Sequence, residues 1–590
     1  MNASCRRWAV VLLWICAFVV GASAQENQTY ILHTVERGQS LYSISRAYGV
    51  SEADIVALNP GSEVKILAGQ TLKIPITQAG GPKFHTIKAG ETLYRLCQIY
   101  NVSAKALCDA NPGLSARNFK VGQVVLIPST QVAPEAPAEE STPAEEPEDK
   151  CKTTHKVKRK ETVYSICRQY GISEKQLLAA NPQLKGKSNI KKGDELCIPY
   201  PAKKPSGQST APQRTPTDAE LWSEGRQPAA SHLPAIRAAV ILPLLPEDAG
   251  AGQSPRMVEY YEGLLLAVDS LKRTGTSIDL YTYSVQPGVS ALGKILTREE
   301  MKTMNVIFGP LRQEHIATLA DFAKQHNARL VVPFTSKDNT VYNNPAVYQI
   351  NTPQSYLYSE VYDHFTRTFT PENRIIFVEA EEGTAEKAEY IRGLKAELST
   401  RSYATATVSE NMTADEILLA CDTTRLNVFI PTSGSNLTLI KLLPQLTVLK
   451  RGHESFEVSL FGYPEWQTYT ADHIDSFFEL DAYFYSSFYT NDLFPAARHF
   501  TRNYRHWYGK DMDDRYPRYG MLGFDTGYYF LKGLSLYGDQ LEEKLDLMKV
   551  TPIQTGFKFQ RVNNWGGFIN RKVFFVHFGR DYELSKLDFD

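Results

Sequence analysis

Three stretches in the first third of the chain repeat one pattern, and that repetition constrains the fold more than any other feature. Residues 34–49 read TVERGQSLYSISRAYG, residues 86–100 read TIKAGETLYRLCQIY, and residues 156–171 read KVKRKETVYSICRQYG. Gly38, Gly90 and Lys160 align, and Asn59-Pro60, Asn111-Pro112 and Asn181-Pro182 follow 21 residues later in every copy. Each copy closes on Ile-Pro, at Ile74-Pro75, Ile127-Pro128 and Ile198-Pro199. Repeats at a fixed period mark repeated structural units. Within each unit a short strand (His33–Val35, His85–Ile87, His155–Val157) precedes a tight turn and a helix. The helix keeps one face at i, i+3, i+4, i+7: Leu41, Ile44, Ser45 and Tyr48, then Leu93, Leu96, Cys97 and Tyr100, then Val163, Ile166, Cys167 and Tyr170. Ser51, Ser103 and Ser173 suit the N-cap of a second helix. Asn-Pro ends that helix, because proline biases its predecessor away from the helical region. A last strand finishes at Ile-Pro, so the unit is β-α-α-β.

These units resemble LysM modules over residues 30–76, 83–129 and 151–200. The resemblance implies non-catalytic binding of N-acetylglucosamine-containing polymers, peptidoglycan or chitin, in a shallow groove between the first turn and the loop after the second helix. Carried over by position, the implied glycan-binding residues are Gly38, Gln39, Ser40 and Leu41 with Asn59, Pro60 and Gly61 in module one. In module two they are Gly90, Glu91, Thr92 and Leu93 with Asn111, Pro112, Gly113 and Leu114. In module three they are Thr162 and Val163 with Asn181 and Pro182, although Lys160 stands where the turn glycine belongs and strains the turn if it needs positive φ. Three weak sites on one long polymer gain through effective concentration.

At the N-terminus, Arg6 and Arg7 precede an apolar run from Trp8 to Val20, and Ala22-Ser23-Ala24 gives a small-x-small cleavage pattern. Residues 1–24 are expected to be a cleavable signal peptide. No later run reaches 18 consecutive apolar residues, so no transmembrane segment is expected after cleavage. The protein is expected in the periplasm, associated with the cell wall. Net charge is −1, which argues against a nucleic-acid partner. Export permits disulfides. Cys151 precedes the first strand of module three and Cys197 sits in its last, so antiparallel pairing makes them the preferred bridge. Cys97 and Cys108 are a second candidate pair, with packing as small hydrophobes the alternative. Cys167 and Cys421 are expected as structural thiols.

Residues 130–150 are rich in Pro, Ala and Glu, and residues 201–235 are similar but less acidic. Both read as flexible linkers unable to build a core. From 236 the texture changes. Apolar runs such as AAVILPLL, NVIFGPL, RIIFVEA and LNVFIPT alternate with helical stretches such as MVEYYEGLLLAVDSLKR and AEKAEYIRGLKAEL. That order argues for parallel α/β sheets covered on both faces. The length, some 350 residues, suggests two lobes.

On AAVILPLLPEDA, YYEGLLLAVDSL, NVIFGPLRQEHIATLADFAKQHNARLVVPFTS, YGMLGFDTGYYFLKGL and FKFQRVNNWGGFINRKVFFVHF, residues 236–590 resemble type I periplasmic binding proteins of the branched-chain amino-acid-binding kind. The resemblance implies two Rossmann-like lobes, crossing strands as a hinge and a ligand between the lobes. Arg312 and Gln313 stand where that family offers carboxylate-binding serines, and Thr335 and Ser336 match its polar pair. Arg312 is read either as an anion anchor or as a surface residue. Glu379–Gly383 replaces an expected tyrosine loop. The aromatic-rich stretch from DAYFYSSFYTND to NYRHWYG is read as core, with a cleft wall or partner surface as the alternative.

The sequence holds no HExxH, G-x-S-x-G, P-loop or GxGxxG motif, and no cofactor or metal is expected. The fold class is therefore multidomain, α+β and α/β. It comprises three small modules on linkers and a two-lobed domain. The implied function is non-catalytic peptidoglycan binding, with a domain for sensing a small ligand or meeting an envelope protein. A solute receptor of a transport system and a cell-wall hydrolase are the alternatives.

Overall fold

The computed structural model describes residues 30–36, 39–63, 66–75, 82–128, 217–225, 232–249, 254–453 and 456–589. Of module three it describes 153–158, 163–170, 172, 177, 180, 181 and 193–198. The expected signal peptide, the 130–150 linker, Gly38, Cys151, Thr162 and Pro182 lie outside these residues.

Each module is a two-stranded antiparallel sheet with helices packed on it. In module one β1 (Tyr30–Thr34) pairs with β2 (Thr71–Pro75), in module two β3 (Lys83–Thr86) with β4 (Val124–Ile127), and in module three β5 (Thr153–Lys156) with β6 (Glu195–Ile198). The helices Leu41–Tyr48 and Glu52–Leu58 follow β1, and Leu93–Tyr100 and Ala104–Ala110 follow β3. Ser51 and Ser103 cap the second helices as expected, accepting the backbone N–H of Asp54 and Ala106 (both 3.1 Å). So small a sheet is marginal alone, and a repeated polar pair braces it. A strand histidine meets the last tyrosine of the first helix in every copy: His33–Tyr48 at 2.8 Å, His85–Tyr100 at 2.9 Å and His155–Tyr170 at 2.8 Å.

The large region forms two seven-stranded sheets. The first runs β17-β18-β11-β10-β9-β7-β8, where β7 is Ile236–Leu242, β8 Ile278–Ser284, β9 Val306–Phe308, β10 Arg329–Val332, β11 Val347–Gln349, β17 Phe559–Arg561 and β18 Phe568–Asn570. The second runs β13-β12-β14-β15-β16-β19-β20, where β12 is Arg374–Glu379, β13 Ala404–Ser409, β14 Asn427–Pro431, β15 Val458–Gly462, β16 Ala482–Ser486, β19 Phe574–Phe578 and β20 Leu584–Leu587. Strands β7 to β11 pair in parallel within the first sheet, as do β12 to β16 within the second. Helices such as Ser254–Arg273 and Tyr519–Tyr537 cover the first sheet, and Tyr358–Thr368, Thr384–Thr400 and Asn436–Gly452 cover the second. Central strands buried along their whole length explain the unbroken apolar runs. The chain passes between lobes near 350–357, 487–494 and 571–573, three crossings that match the expected hinge. Much of the aromatic-rich segment is core, with β16 buried throughout and Tyr504 with it, whereas Trp507 is 54% exposed.

One expectation needs correcting. Residues 201–235 are not linker throughout, because Asp218–Gly225 is a helix. Thr217 and Glu220 cap it reciprocally: the Glu220 N–H donates to Thr217 Oγ1 (3.3 Å) and the Thr217 N–H to Glu220 Oε2 (2.7 Å). The helix packs on module two.

Candidate functional site

Much of the predicted glycan set turns out to hold the modules together. Asn59 Nδ2 donates to the carbonyls of Ile55 and Lys73 (both 2.7 Å), while its Oδ1 accepts the Lys73 N–H (2.8 Å). Asn111 does the same with Leu107, Leu126 and the Leu126 N–H, and Asn181 with Leu177, Cys197 and the Cys197 N–H. With both amide hydrogens and one lone pair of the oxygen engaged, these side chains bolt the second helix to the last strand. Gln39 and Glu91 are also structural. Gln39 Oε1 accepts the Glu36 N–H (2.9 Å) and lies 2.7 Å from His33 Nε2, and Glu91 Oε2 repeats this with Lys88 and His85. Ser40 and Thr92 cap the first helices, accepting from the Ser43 and Arg95 N–H (both 3.2 Å). Gly61 and Gly90 hold φ of 95° and 81°, where glycine costs least. The remaining groove elements differ sharply between modules.

In module two the groove is filled. Leu93 and Leu114 are fully buried in one cluster with Leu221 of the Asp218–Gly225 helix. Asp218 Oδ1 accepts the Tyr94 N–H (3.1 Å) on one wall, and Trp222 meets Phe119 edge to face (5.8 Å) on the other. The loop between β17 and β18 closes on the same module. The Asn564 carbonyl accepts the Gly113 N–H (2.8 Å), and Asn564 Nδ2 donates to the Val124 carbonyl (2.7 Å). A Cβ at Gly113 would meet Arg561 Cδ at 2.8 Å, so the approach requires glycine. Beside Asn564, Trp565 packs between Tyr48 of module one (5.7 Å) and Phe84 of module two (5.0 Å). Gly90 stays exposed and Pro112 half-buried.

Module one is open instead. Gln39, Ser40 and Leu41 line a cleft of about 1210 Å³. Ser62, at the position of Leu114, lines it too; it is 4% exposed and its Oγ has no hydrogen-bond partner among the described residues. The sequence reading missed Ser62, although it directly follows Asn59-Pro60-Gly61. The opposite wall belongs to the large region: Ser336 and Lys337 after β10, Tyr358 and Tyr362 on one helix, and Arg392 on the next. Two polar ties edge the cleft, Tyr42 Oη to Asn339 Oδ1 and Arg392 Nη1 to the Glu63 carbonyl (both 3.2 Å). Pro60 and Gly61 are exposed, and in module three Val163 is half-buried.

The expected interlobe residues scatter. Arg312 Nη2 donates to the Asp248 carbonyl (2.8 Å), and among the described residues its Nε has no hydrogen-bond partner. Gln313 is exposed at the start of a short 3₁₀ turn. Thr335 Oγ1 accepts the Lys337 N–H (3.1 Å), capping its own turn. Ser336 faces the cleft beside module one. In the second lobe, at the carboxyl ends where α/β ligands bind, charges pair among themselves. Buried Lys387 meets Glu465 (2.6 Å), and Lys441 meets buried Glu410 (2.8 Å) and Glu381 (3.2 Å). Lys441 and the N–H of Glu381 hold the Glu410 carboxyl below its usual range against the opposing effect of burial.

The cysteines separate. Cys97 and Cys108 are thiols, not a disulfide, so the packing alternative holds there. Cys197 is disulfide-bonded; Cys151, its expected partner, lies outside the described residues. Burial pushes the Cys421 thiol up to about 12, as suits a structural thiol.

The repeated fold and its caps match a known class. A family model of the LysM domain matches residues 33–75, 85–128 and 155–199: the chain carries three LysM domains. Among curated proteins the chain is similar to the N-acetylmuramoyl-L-alanine amidase sle1 of Staphylococcus aureus (strain USA300), 25% identical over 220 residues. That match covers 34% of this chain and 64% of the amidase, so less than two thirds of the relative is spanned. It is confined to the LysM region. Similar solved structures include an ABC transporter substrate-binding protein from Desulfitobacterium hafniense in complex with Leu, at 14% identity and a TM-score of 0.33, covering 60% of this chain and all of that one. Another is a branched-chain amino acid ABC transporter periplasmic ligand-binding protein from Burkholderia xenovorans LB400, at 11% identity and a TM-score of 0.37, covering 60% and 95%.

Proposed function

We propose that this is a non-catalytic, exported envelope protein that holds the N-acetylglucosamine-containing glycan of peptidoglycan and presents its two-lobed region to a ligand or an envelope protein. The carrying observation is the open groove of module one, where Gln39, Ser40 and Leu41 line a cleft of about 1210 Å³. An apolar side chain beside polar ones suits a sugar, which offers an apolar face and hydroxyls together. The paired charges in the second lobe weigh against a free amino acid, whose ammonium and carboxylate need partners of their own. They favour an envelope platform over a solute receptor. The amidase relative shares the LysM region alone, so its activity does not transfer.

Retention on purified sacculi tests this reading. The intact chain is expected to sediment with them and release no muropeptides. Leu41→Asp, which puts a charge in the open groove, is expected to lower retention about tenfold, equivalent to about 1.4 kcal/mol. Unchanged retention contradicts the groove assignment, and released muropeptides contradict the non-catalytic reading.

A further inference from the structure

The geometry points to a composite site in which module one holds the sugar and the large region reads a carboxylate on the peptide attached to it. This inference rests on the glycan reading of module one and goes beyond it by naming what the second wall recognises. The cleft of about 1210 Å³ exceeds the roughly 300–1,000 Å³ that a small-molecule pocket needs. Its module-one wall offers Leu41 beside Gln39 and Ser40. Its far wall offers Lys337 and Arg392, neither ion-paired among the described residues, and Arg401, which pairs with Glu397 (2.9 Å). Arg392 spends one nitrogen on the Glu63 carbonyl (3.2 Å) and lines the cleft.

Chitin carries no carboxylate, whereas the stem peptides of peptidoglycan do. Cations facing a sugar groove therefore discriminate between the two polymers, since a charge-assisted hydrogen bond contributes about 1.5–3 kcal/mol. Carboxylates line both walls, Glu36, Glu52 and Glu63 on module one and Asp363, Glu389 and Glu397 opposite; they suit the ammonium groups of a peptide and disfavour a plain polyanion such as a teichoic acid.

The test titrates the intact chain with a chitooligosaccharide and with a peptide-bearing muropeptide of equal sugar number. Wild type is expected to bind the muropeptide at least about tenfold tighter. Lys337→Ala with Arg392→Gln is expected to remove that preference and leave chitooligosaccharide affinity unchanged. Arg392→Lys, alone, is expected to keep most of it, which separates charge from loss of the Glu63 tie. Equal affinity of wild type for both ligands, or a preference that survives the double variant, overturns the composite site while leaving the glycan reading intact. Binding of neither ligand, with no retention on sacculi, overturns both.

Discussion

Modules one and two carry the same pattern at matching positions, Ser40 with Thr92, Leu41 with Leu93 and Asn59 with Asn111, yet the chain treats them oppositely. Module one turns Leu41 and Ser62 toward a wide cleft. Module two has Leu93 and Leu114 fully buried beneath Leu221 and its Gly113 N–H tied to Asn564. A hydroxyl at position 62 and an isobutyl group at position 114 sum up the difference. The first leaves a hydroxyl with no partner among the described residues; the second completes an apolar cluster that the chain's own helix covers. A repeated module is thus not a repeated site, and one copy here serves as a docking block.

The largest effect expected is from Trp565→Ala. This ring joins both modules to the large region at 4% exposure, and its loss should cost about 3–5 kcal/mol. Faster amide exchange in β1 and β3 should report it, and unchanged exchange would deny the shared anchor. Next is Leu221→Ala, expected to weaken helix docking by about 2–4 kcal/mol and to uncover module two. Chitooligosaccharide binding should then gain a site, measured calorimetrically; unaltered stoichiometry would mean that the groove stays shut for another reason. Asn111→Ala should destabilise module two by about 1–3 kcal/mol, because buried backbone groups lose their partners, and Asn59→Ala should cost module one less, because the Lys73 backbone it holds is exposed. A melting temperature unchanged alongside weaker sugar binding would restore the ligand role.

The smallest effect is one of pH. Burial lowers the His33 pKa below its usual 6.5, against the opposing hydrogen bond that Gln39 Oε1 accepts. The folded state then resists a proton that the unfolded chain accepts. Module-one stability is full above pH 6.5 and is lost as pH falls below that value toward the folded pKa. Amide exchange of β1 followed across this range should accelerate with acid, and a flat profile would show that His33 stays neutral in both states.

The fold was legible wherever local pattern decided it. The i, i+3, i+4, i+7 faces, the Ser51 and Ser103 caps and the apolar strands of the large region all sit where spacing placed them. The Asp218–Gly225 helix was missed because the surrounding composition suggested a linker, although Thr-x-x-Glu at 217–220 was a usable start signal. The site was less legible, since a repeated polar residue signals constraint without its kind. Asn59, Asn111 and Asn181 recur because each bolts a helix to a strand, and a sequence cannot separate that from sugar contact. Docking by Trp565 joins residues more than 400 positions apart from their partners, beyond any local pattern. The scattered fate of Arg312, Gln313, Thr335 and Ser336 has the same origin, because family position does not fix what a loop touches.

Hydrogen–deuterium exchange of the intact chain, with and without a saturating N-acetylglucosamine oligomer, tests the central contrast most directly. The account predicts added protection at residues 39–42 and 60–63 of module one and none at 90–94 or 111–114 of module two. Protection in module two, or its absence from module one, would contradict the division of labour drawn from the structure.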